Sequence, residues 1–402
     1  MKDISLYFHI PFCRRRCGYC DFNTFAGMQT YIPRYVNALC TEVDAVLSMS
    51  PEPFNAHTIF FGGGTPSLLT SGDFEKILQV VNRRAAIPCE AEITLEANPE
   101  TVTDQSIREL REIGFNRVSF GMQSASARDL KMLDRQHTNE SMLKAVAWSR
   151  QAGFSNINLD LIFGIPRQSL SSWQNTLRLA LDLNVEHFSV YSLILEDGTR
   201  LKKWVDRGLV EEPDEDLAAD MYELTMTMME REGYSQYEIS NWAISPDKTC
   251  RHNLQYWRYL PYLGFGAGAH GFVGTTRTVN TGLITGYIDR IDQGIVSDFP
   301  AGPACEHSTR LTGWEQVQEH MMVSMRMTAE GVSIKDFQDR YRIDISVLFA
   351  EQINRLLKQG LIEYHDQGKG LRLTRKGRLF GNRVFAEFIG NTLPQGYEHL
   401  NN

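Results

Sequence analysis

The sequence has no apolar run of 18 residues or more, so no membrane-spanning helix is expected. It has no basic stripe either. Its 41 Lys and Arg stand against 49 Asp and Glu, a net charge of -8, which argues against a general nucleic-acid binder. It has no even set of cysteines. The seven are Cys13, Cys17, Cys20, Cys40, Cys89, Cys250 and Cys305, scattered after the first three, which is not a disulfide framework. A reducing cytosol is the expected compartment. The opening stretch MKDISLYFHIPFC is interrupted by Asp3, His9 and Pro11 and does not read as a signal peptide. No low-complexity tract occurs, and no repeat beyond a strand–helix rhythm. What remains is an ordinary globular composition, 42% apolar and 22% charged over 402 residues, enough for one or two domains.

Six short apolar segments punctuate the first half: SLYFHI (5–10), HTIFFGGG (57–64), AEITLEAN (91–98), RVSFGMQ (117–123), NINLDLIFGIP (156–166) and HFSVYSLIL (187–195). Each reads as a strand buried on both faces. Helical patterns lie between them, as in YVNALCTEVDAVL (35–47) and SGDFEKILQVVNRR (71–84), and two end in C-cap glycines, Gly114 and Gly153. This alternation predicts parallel βαβ units in an α/β fold. A partial (β/α)6 barrel is favoured over an open sheet, because polar or glycine residues close every strand at the end where barrels keep their chemistry. FPAGPA (299–304) reads as a linker. It divides a barrel unit, residues 1–298, from a small helical, winged-helix-like unit, residues 305–390. The latter has four helical stretches (EQVQEHMMVSMRM, SIKDFQDRY, ISVLFAEQINRLLKQG and RLFGNRVFAEFI) and a hairpin turning at Gly368 and Gly370. From residue 314 onward 12 basic residues balance 11 acidic ones, so this unit is expected to pack rather than to bind DNA.

Within FCRRRCGYCDF, Cys13, Cys17 and Cys20 are spaced C-x3-C-x2-C directly after the first strand. Three thiolates can hold three corners of a four-iron cluster and leave the fourth iron open to a ligand. A structural zinc site with a distant fourth ligand is the alternative, although no second knuckle is present. GGGTP (62–66) follows the second strand, and its glycines would let backbone groups approach and bind a polar head group. Glu96, Gln123 and Asp160 lie at the ends of, or within, later strands, and the Arg135 fork suits a carboxylate. Arg14, Arg15 and Arg16 read as a solvated loop face. The alternative is contact with carboxylates or with an acidic electron donor.

The cysteine spacing, with Tyr19 before the third cysteine, resembles the radical SAM signature. YFHIPFC, CGYCDF, FFGGGTPS, LEANP, FGMQS, NLDLIFGIP, CRHNLQYW and GFGAGAHGF occur in order over nearly the whole chain. That run is similar to the oxygen-independent coproporphyrinogen III dehydrogenase superfamily, and within it to the heme-chaperone branch. The resemblance implies a 4Fe-4S cluster on Cys13, Cys17 and Cys20. It also implies S-adenosylmethionine (SAM) at Tyr7, Tyr19, Phe22, Gly63, Gly64, Thr65 and Glu96. Gln123, Arg135 and Asp160 match positions that contact a second SAM in the dehydrogenase.

Two departures separate the chain from the dehydrogenase. Phe22 stands where that pattern has a further cysteine, and only 12 residues precede Cys13. HNLQYW resembles the heme motif of the chaperone branch. It implies His252 as ligand or anchor, with Asn253, Tyr256 and Trp257 around it in a segment spanning about 235–275. His270 and Cys250 are secondary candidate ligands. No C-x2-C-H occurs, so c-type attachment is not indicated. The expectation is therefore a cytoplasmic heme chaperone, peripheral to the inner membrane at most, working as a monomer or homodimer. It would hand heme to an acceptor such as a respiratory enzyme and take electrons from a reductant such as a flavodoxin. SAM-dependent oxidative decarboxylation of coproporphyrinogen is the alternative activity.

Overall fold

A computed structural model describes residues 2–295, 297–390 and 392–401. Its first half follows the predicted rhythm. The parallel strands are Lys2–Ile10 (β1), Phe54–Gly63 (β2), Glu92–Ala97 (β3), Arg117–Gln123 (β4), Ile157–Phe163 (β5) and His187–Ser192 (β6). Between them run Ile32–Ser48 (α1), Ser71–Arg84 (α2), Asp104–Glu112 (α3), Ala127–Met132 (α4), Asn139–Gln151 (α5) and Leu170–Leu181 (α6). Threonines start three of these helices. Thr70, Thr103 and Thr138 each form a reciprocal capping box with the residue three positions on, which satisfies orphan amides of the first turn. Gly114 and Gly153 take positive φ just past α3 and α5, as C-cap glycines do.

The sheet is larger than six strands. Ser235–Glu238 (β7) and Asn241–Ala243 (β8) extend it beyond β6. Tyr262–Phe265 (β9), His270–Val273 (β10), Thr276–Asn280 (β11) and Cys305–Arg310 (β12) extend it beyond β1. The order is β12-β11-β10-β9-β1-β2-β3-β4-β5-β6-β8-β7, with β9 parallel to β1 and the outer strands antiparallel. Residues 305–310, grouped by the sequence with the C-terminal unit, thus belong to the edge of the large sheet.

Strand register corrects the expectation of strands apolar on both faces. Leu6, Ile59 and Ile93 share one face, as do Phe8, Phe61, Leu95, Val118 and Ile157. That face packs under the helices as the main core. Fully burying one such Phe or Leu contributes about 1.5–3 kcal/mol. The other face, toward the barrel interior, carries Ser5, Thr58 and Glu92 in one row. Tyr7, Phe60, Thr94 and Arg117 form the next, and Glu96, Ser119, Asn158 and His187 another. The interior is polar and aromatic, lined by every second residue.

Four further helices belong to this unit: Arg200–Asp206 (α7), Glu215–Arg231 (α8), Arg251–Trp257 (α9) and Ile284–Asp292 (α10), the last against α1. A second core begins at Trp314 and gathers the C-terminal helices and a three-stranded sheet. That sheet contains the expected hairpin, Ile362–His365 with Gly370–Leu373. The last two C-terminal helices predicted are each broken, at Phe349 and at Phe380, where the backbone leaves the helical region. Among the described residues no helix is long and apolar enough to cross a membrane.

Candidate functional site

The three cysteines occupy the loop that leaves β1. Cys13 is buried, while Cys17 and Cys20 are half-buried. The loop is tied down from several sides. Phe25 donates its N–H to Pro11 O, Gly18 to Leu133 O and Leu201 to Gly18 O. Gly64 N–H donates to Ile10 O at 2.9 Å and Thr65 N–H to Phe12 O at 2.8 Å. The glycine loop is therefore a strap across the cysteine loop. Its amides at Gly64 and Thr65 are used internally, and that of Gly63 goes to Glu96 Oε2 at 3.1 Å. The sequence expected these backbone groups to face a ligand; the structure spends the three amides on fixing the loops. A Cβ on Gly63 would meet the His9 ring at 2.5 Å, and one on Gly64 would meet Phe12 O at 2.7 Å.

Side chains converge on the thiols. Thr65 Oγ1 donates to Cys13 Sγ at 3.6 Å, and Arg135 Nη1 to Cys17 Sγ at 3.7 Å. Burial pushes the Cys13 and Cys20 thiols up, and the neighbouring cysteines add to it, so the three sit close enough for their charges to couple. Among the described residues no three His, Cys, Asp or Glu side chains gather as one metal ion would require.

Arg135 does not present a free fork. Its Nη2 donates to Gly121 O at 2.7 Å and Asn98 Oδ1 at 3.4 Å, while Nε is buried without a partner among the described residues. The three arginines Arg14, Arg15 and Arg16 are exposed, as a solvated loop face is, and two of them also have partners. Arg15 pairs with Asp134 at 2.5 Å, and Arg16 donates to Phe22 O at 3.2 Å. Phe22, expected near SAM, is 64% exposed. Tyr19 is half-buried against Leu133, Ile162 and Leu193.

Glu96, Asp160 and Tyr7 stand on the polar interior face of the strands, and Gln123 ends β4. Burial, followed by the charge of Asp160, pushes Glu96 up to about 7. Burial also raises Asp160, although Asn158 Nδ2 at 2.8 Å and Ser119 Oγ at 3.1 Å donate to it. Tyr7 Oη lies 3.0 Å from His9 Nδ1, and His9 Nε2 lies 2.8 Å from Asn23 O. Since a carbonyl only accepts, His9 carries its proton on Nε2 and accepts from Tyr7. Gln123 sits at φ 61° where β4 shifts register against β5, a left-handed conformation seldom taken by a non-glycine residue.

The HNLQYW helix packs against β2. Glu92 caps α9, accepting the N–H groups of Arg251 and His252 at 3.0 Å each. His252 is 1% exposed. Its ring stacks on Phe60, centroids 5.0 Å apart, and Phe60 stacks on Tyr7 at 6.2 Å. Burial holds the imidazole down at about 3, so it is neutral. Tyr256 meets His252 edge-on at 5.2 Å and Tyr262 at 4.6 Å. Trp257 turns the other way, under Arg326 of the C-terminal unit at 4.5 Å, and Asn253 is half-buried. Cys250 is fully buried, donates to Glu92 Oε1 at 3.7 Å and is pushed up to about 12 by burial. A thiolate there is disfavoured. His270 opens β10 as an exposed imidazole.

Comparison with known proteins decides the family. A model described as the Radical SAM superfamily matches residues 7–180, and one described as the HemN C-terminal domain matches residues 311–380. The heme chaperone HemW of Bacillus subtilis is 39% identical over 387 residues, 96% of this chain and 99% of its own. The chain belongs to the heme chaperone HemW family. The HemW of Mycobacterium tuberculosis H37Rv is 34% identical, covering 97% of this chain and 95% of its own. In Mus musculus, the mitochondrial radical S-adenosyl methionine domain-containing protein 1 is 33% identical, with 97% and 87% covered. The solved structure of the Escherichia coli radical SAM enzyme coproporphyrinogen III oxidase (HemN) shares the fold. Its TM-score is 0.82 at 22% identity, over 97% of this chain and 90% of that one. Like other radical SAM chains, this HemW-family member is of the kind that carries a four-iron cluster and SAM.

Sequence reasoning missed several residues that build the site. Glu42 of α1 is buried. It accepts from Gly266 N at 2.8 Å, Asn280 Nδ2 at 2.6 Å and Tyr287 Oη at 2.7 Å. It thereby holds the GFGAG loop against the cysteine loop, where Asn23 Nδ2 donates to Ala267 O at 3.0 Å. An acidic residue on the apolar face of a predicted helix was the available signal.

Proposed function

We propose that the protein binds heme in the barrel chamber through His252 and delivers it to an acceptor protein. Cys13, Cys17 and Cys20 would hold the four-iron cluster, with Arg135 and Thr65 donating to its thiolates. Tyr7, Tyr19, Phe22, Gly63, Gly64, Thr65 and Glu96 would form the SAM site, and Gln123, Arg135 and Asp160 its extension. When reduced, such a cluster supplies homolytic cleavage of SAM. The chain's own residues position the reactants. Tyr7 and His9 keep the chamber wall in one tautomeric state, and Glu96, near its midpoint at neutral pH, can accept hydrogen bonds from ribose hydroxyls or release a proton.

One observation carries this reading. The stack of Tyr7, Phe60 and His252 joins the heme motif to the expected SAM wall through one shared ring. Relatives named as heme chaperones over nearly the full chain support it. The acceptor would be a respiratory hemoprotein, and the electron donor a small reductant protein of the flavodoxin type. The cytoplasm, or the membrane's inner surface, would be the place of work.

The test is a heme titration of purified protein, followed at the Soret band, beside His252→Ala. Saturable binding lost in the variant is expected. Binding that survives unchanged would move the ligand to His270, the exposed imidazole. No saturable binding by the native protein would sink the reading.

A further inference from the structure

His252 is one link in a five-membered hydrogen-bond chain. Its Nε2 lies 2.9 Å from Tyr256 Oη and its Nδ1 2.8 Å from Thr58 Oγ1. Thr58 Oγ1 is 2.5 Å from Ser5 Oγ, which is 3.2 Å from His57 Nε2. Three of the links, Ser5, Thr58 and His252, are buried, and His57 at the end of the chain is half-buried.

A chain of hydroxyls and imidazoles can run in either of two directions, since each hydroxyl donates once and accepts on its other side. In one of them His252 Nδ1–H donates to Thr58, Thr58 to Ser5 and Ser5 to His57 Nε2, and the Tyr256 hydroxyl donates to His252 Nε2. Only that direction leaves a lone pair on His252 Nε2.

A histidine that binds a metal ion almost always donates its other ring N–H to a fixed acceptor, which sets the tautomer and the ring orientation. Here that acceptor is already in place, and the Phe60 ring, its plane 23° from the imidazole, fixes the orientation. We infer that Thr58, Ser5 and His57 are positioning residues that hold His252 with its Nε2 lone pair ready for heme iron, and that the Tyr256 hydroxyl occupies the iron's place until heme displaces it. This rests on the reading that heme binds at His252. The loading step balances simply. The Tyr256–Nε2 hydrogen bond breaks and one Nε2–iron coordinate bond forms, with no proton or electron transferred.

Two measurements test the inference separately from the reading beneath it. The first is 15N NMR of histidine-labelled, heme-free protein. It should show His252 as the Nδ1–H tautomer, and Thr58→Val should shift it toward Nε2–H. A native signal already in the Nε2–H form overturns the inference whether or not heme binds. The second is titration with ferric protoporphyrin IX. Tyr256→Phe should bind roughly fivefold more tightly, the value of one neutral hydrogen bond no longer broken on loading. Thr58→Val should bind roughly tenfold more weakly, as expected for a lost second partner. Should Thr58→Val fold poorly, Ser5→Ala interrupts the same chain one link later, and Thr58→Ser should behave as native. Native-like binding by Tyr256→Phe and by the chain-breaking variants, in a protein that needs His252, overturns the inference. No heme binding by the native protein overturns the parent reading and the gate with it, while the tautomer is still decided by NMR.

Discussion

The imidazole of His252 stacks on the ring of Phe60 at 5.0 Å, and the same phenyl ring stacks on Tyr7 at 6.2 Å. His252 and Tyr7 are 245 positions apart in the chain, yet their ring centroids are only 6.3 Å apart. Phe60 is therefore a shared wall between the expected SAM site and the expected heme site, and neither ligand can be treated alone.

Phe60→Leu keeps most of the volume and removes the flat face. Lost aromatic pairing is worth about 0.5–1.5 kcal/mol beyond area, so a stability loss of about 1 kcal/mol is expected. Both affinities should fall together, SAM by calorimetry and heme by Soret titration, whereas His252→Ala should weaken heme alone. Independent responses to Phe60→Leu would separate the two sites.

Arg135 joins the cysteine loop to the end of β4, with Nη2 on Gly121 O at 2.7 Å and Nη1 on Cys17 Sγ at 3.7 Å. Arg135→Ala removes the charge facing the thiol and the charged donor of the partly buried Gly121 carbonyl, which costs about 1–3 kcal/mol. Iron and sulfide retained after anaerobic reconstitution should fall well below the native content. Arg135→Lys should recover part of it, since the charge returns without the second arm of the fork. Full cluster content in Arg135→Ala would assign the residue to packing alone.

Gly64 holds the strap. Its N–H donates to Ile10 O at 2.9 Å, and a Cβ there would lie 2.9 Å from that oxygen and 2.7 Å from Phe12 O. Those are backbone atoms that cannot rotate away. Gly64→Ala should therefore lift the strap from the cysteine loop and destabilise the fold by about 1–3 kcal/mol, as overpacking does. The melting temperature of the metal-free protein reads this directly. An unchanged melting temperature would show that the two loops can part without loss.

How much of this was legible depends on whether the signal was local. The C-x3-C-x2-C loop after the first strand and the C-cap glycines Gly114 and Gly153 are short-range patterns, and the structure places them where the spacing suggested; the glycine loop follows the second strand as expected, but its amides are spent within the protein. The barrel interior was also written in the chain, in the alternation of Ser5, Tyr7 and His9 with Leu6, Phe8 and Ile10. It was obscured because Tyr and Phe read as apolar on either face. The partners of His252 were not legible. Thr58 is 194 positions away and Glu92 is 160, and no local pattern marks which hydroxyl or carboxylate a barrel brings beneath a distant helix. Glu42 was hidden for the same reason, its three donors coming from residues 266 to 287.

His320 offers a pH test far from the cluster. It is buried between Tyr259 and Phe337, and burial, with Arg340 beside it, holds its imidazole down at about 3. The unfolded group titrates near 6.5, so between pH 6.5 and about 3 the unfolded chain binds the extra proton. Stability present above pH 6.5 is therefore lost as pH falls through that window, by about 1.4 kcal/mol per pH unit from this group. His320→Phe removes the titration and keeps the stacking. Between pH 6.5 and 5 the native protein should lose about 2 kcal/mol more than the variant in urea unfolding. Parallel pH profiles would mean that His320 is protonated in the folded state.

The joint between the two cores turns on Arg326. Its guanidinium covers the Trp257 ring at 4.5 Å and reaches within 4.0 Å of Glu238, which is fully buried. Burial raises Glu238, and the Arg326 charge works against that rise. Removing the cation alone strands a buried carboxylate, so Arg326→Met should cost about 3–5 kcal/mol, more than its lost packing accounts for. Arg326→Met with Glu238→Gln replaces the charge by a neutral amide of the same shape and should restore much of the loss. The double-mutant cycle by denaturant unfolding measures the coupling. Trp257 fluorescence reports in the same experiment whether the C-terminal unit has loosened from the helix that carries His252. If the single and double variants are equally destabilised, Arg326 acts through Trp257 rather than through charge, and the joint is held by stacking.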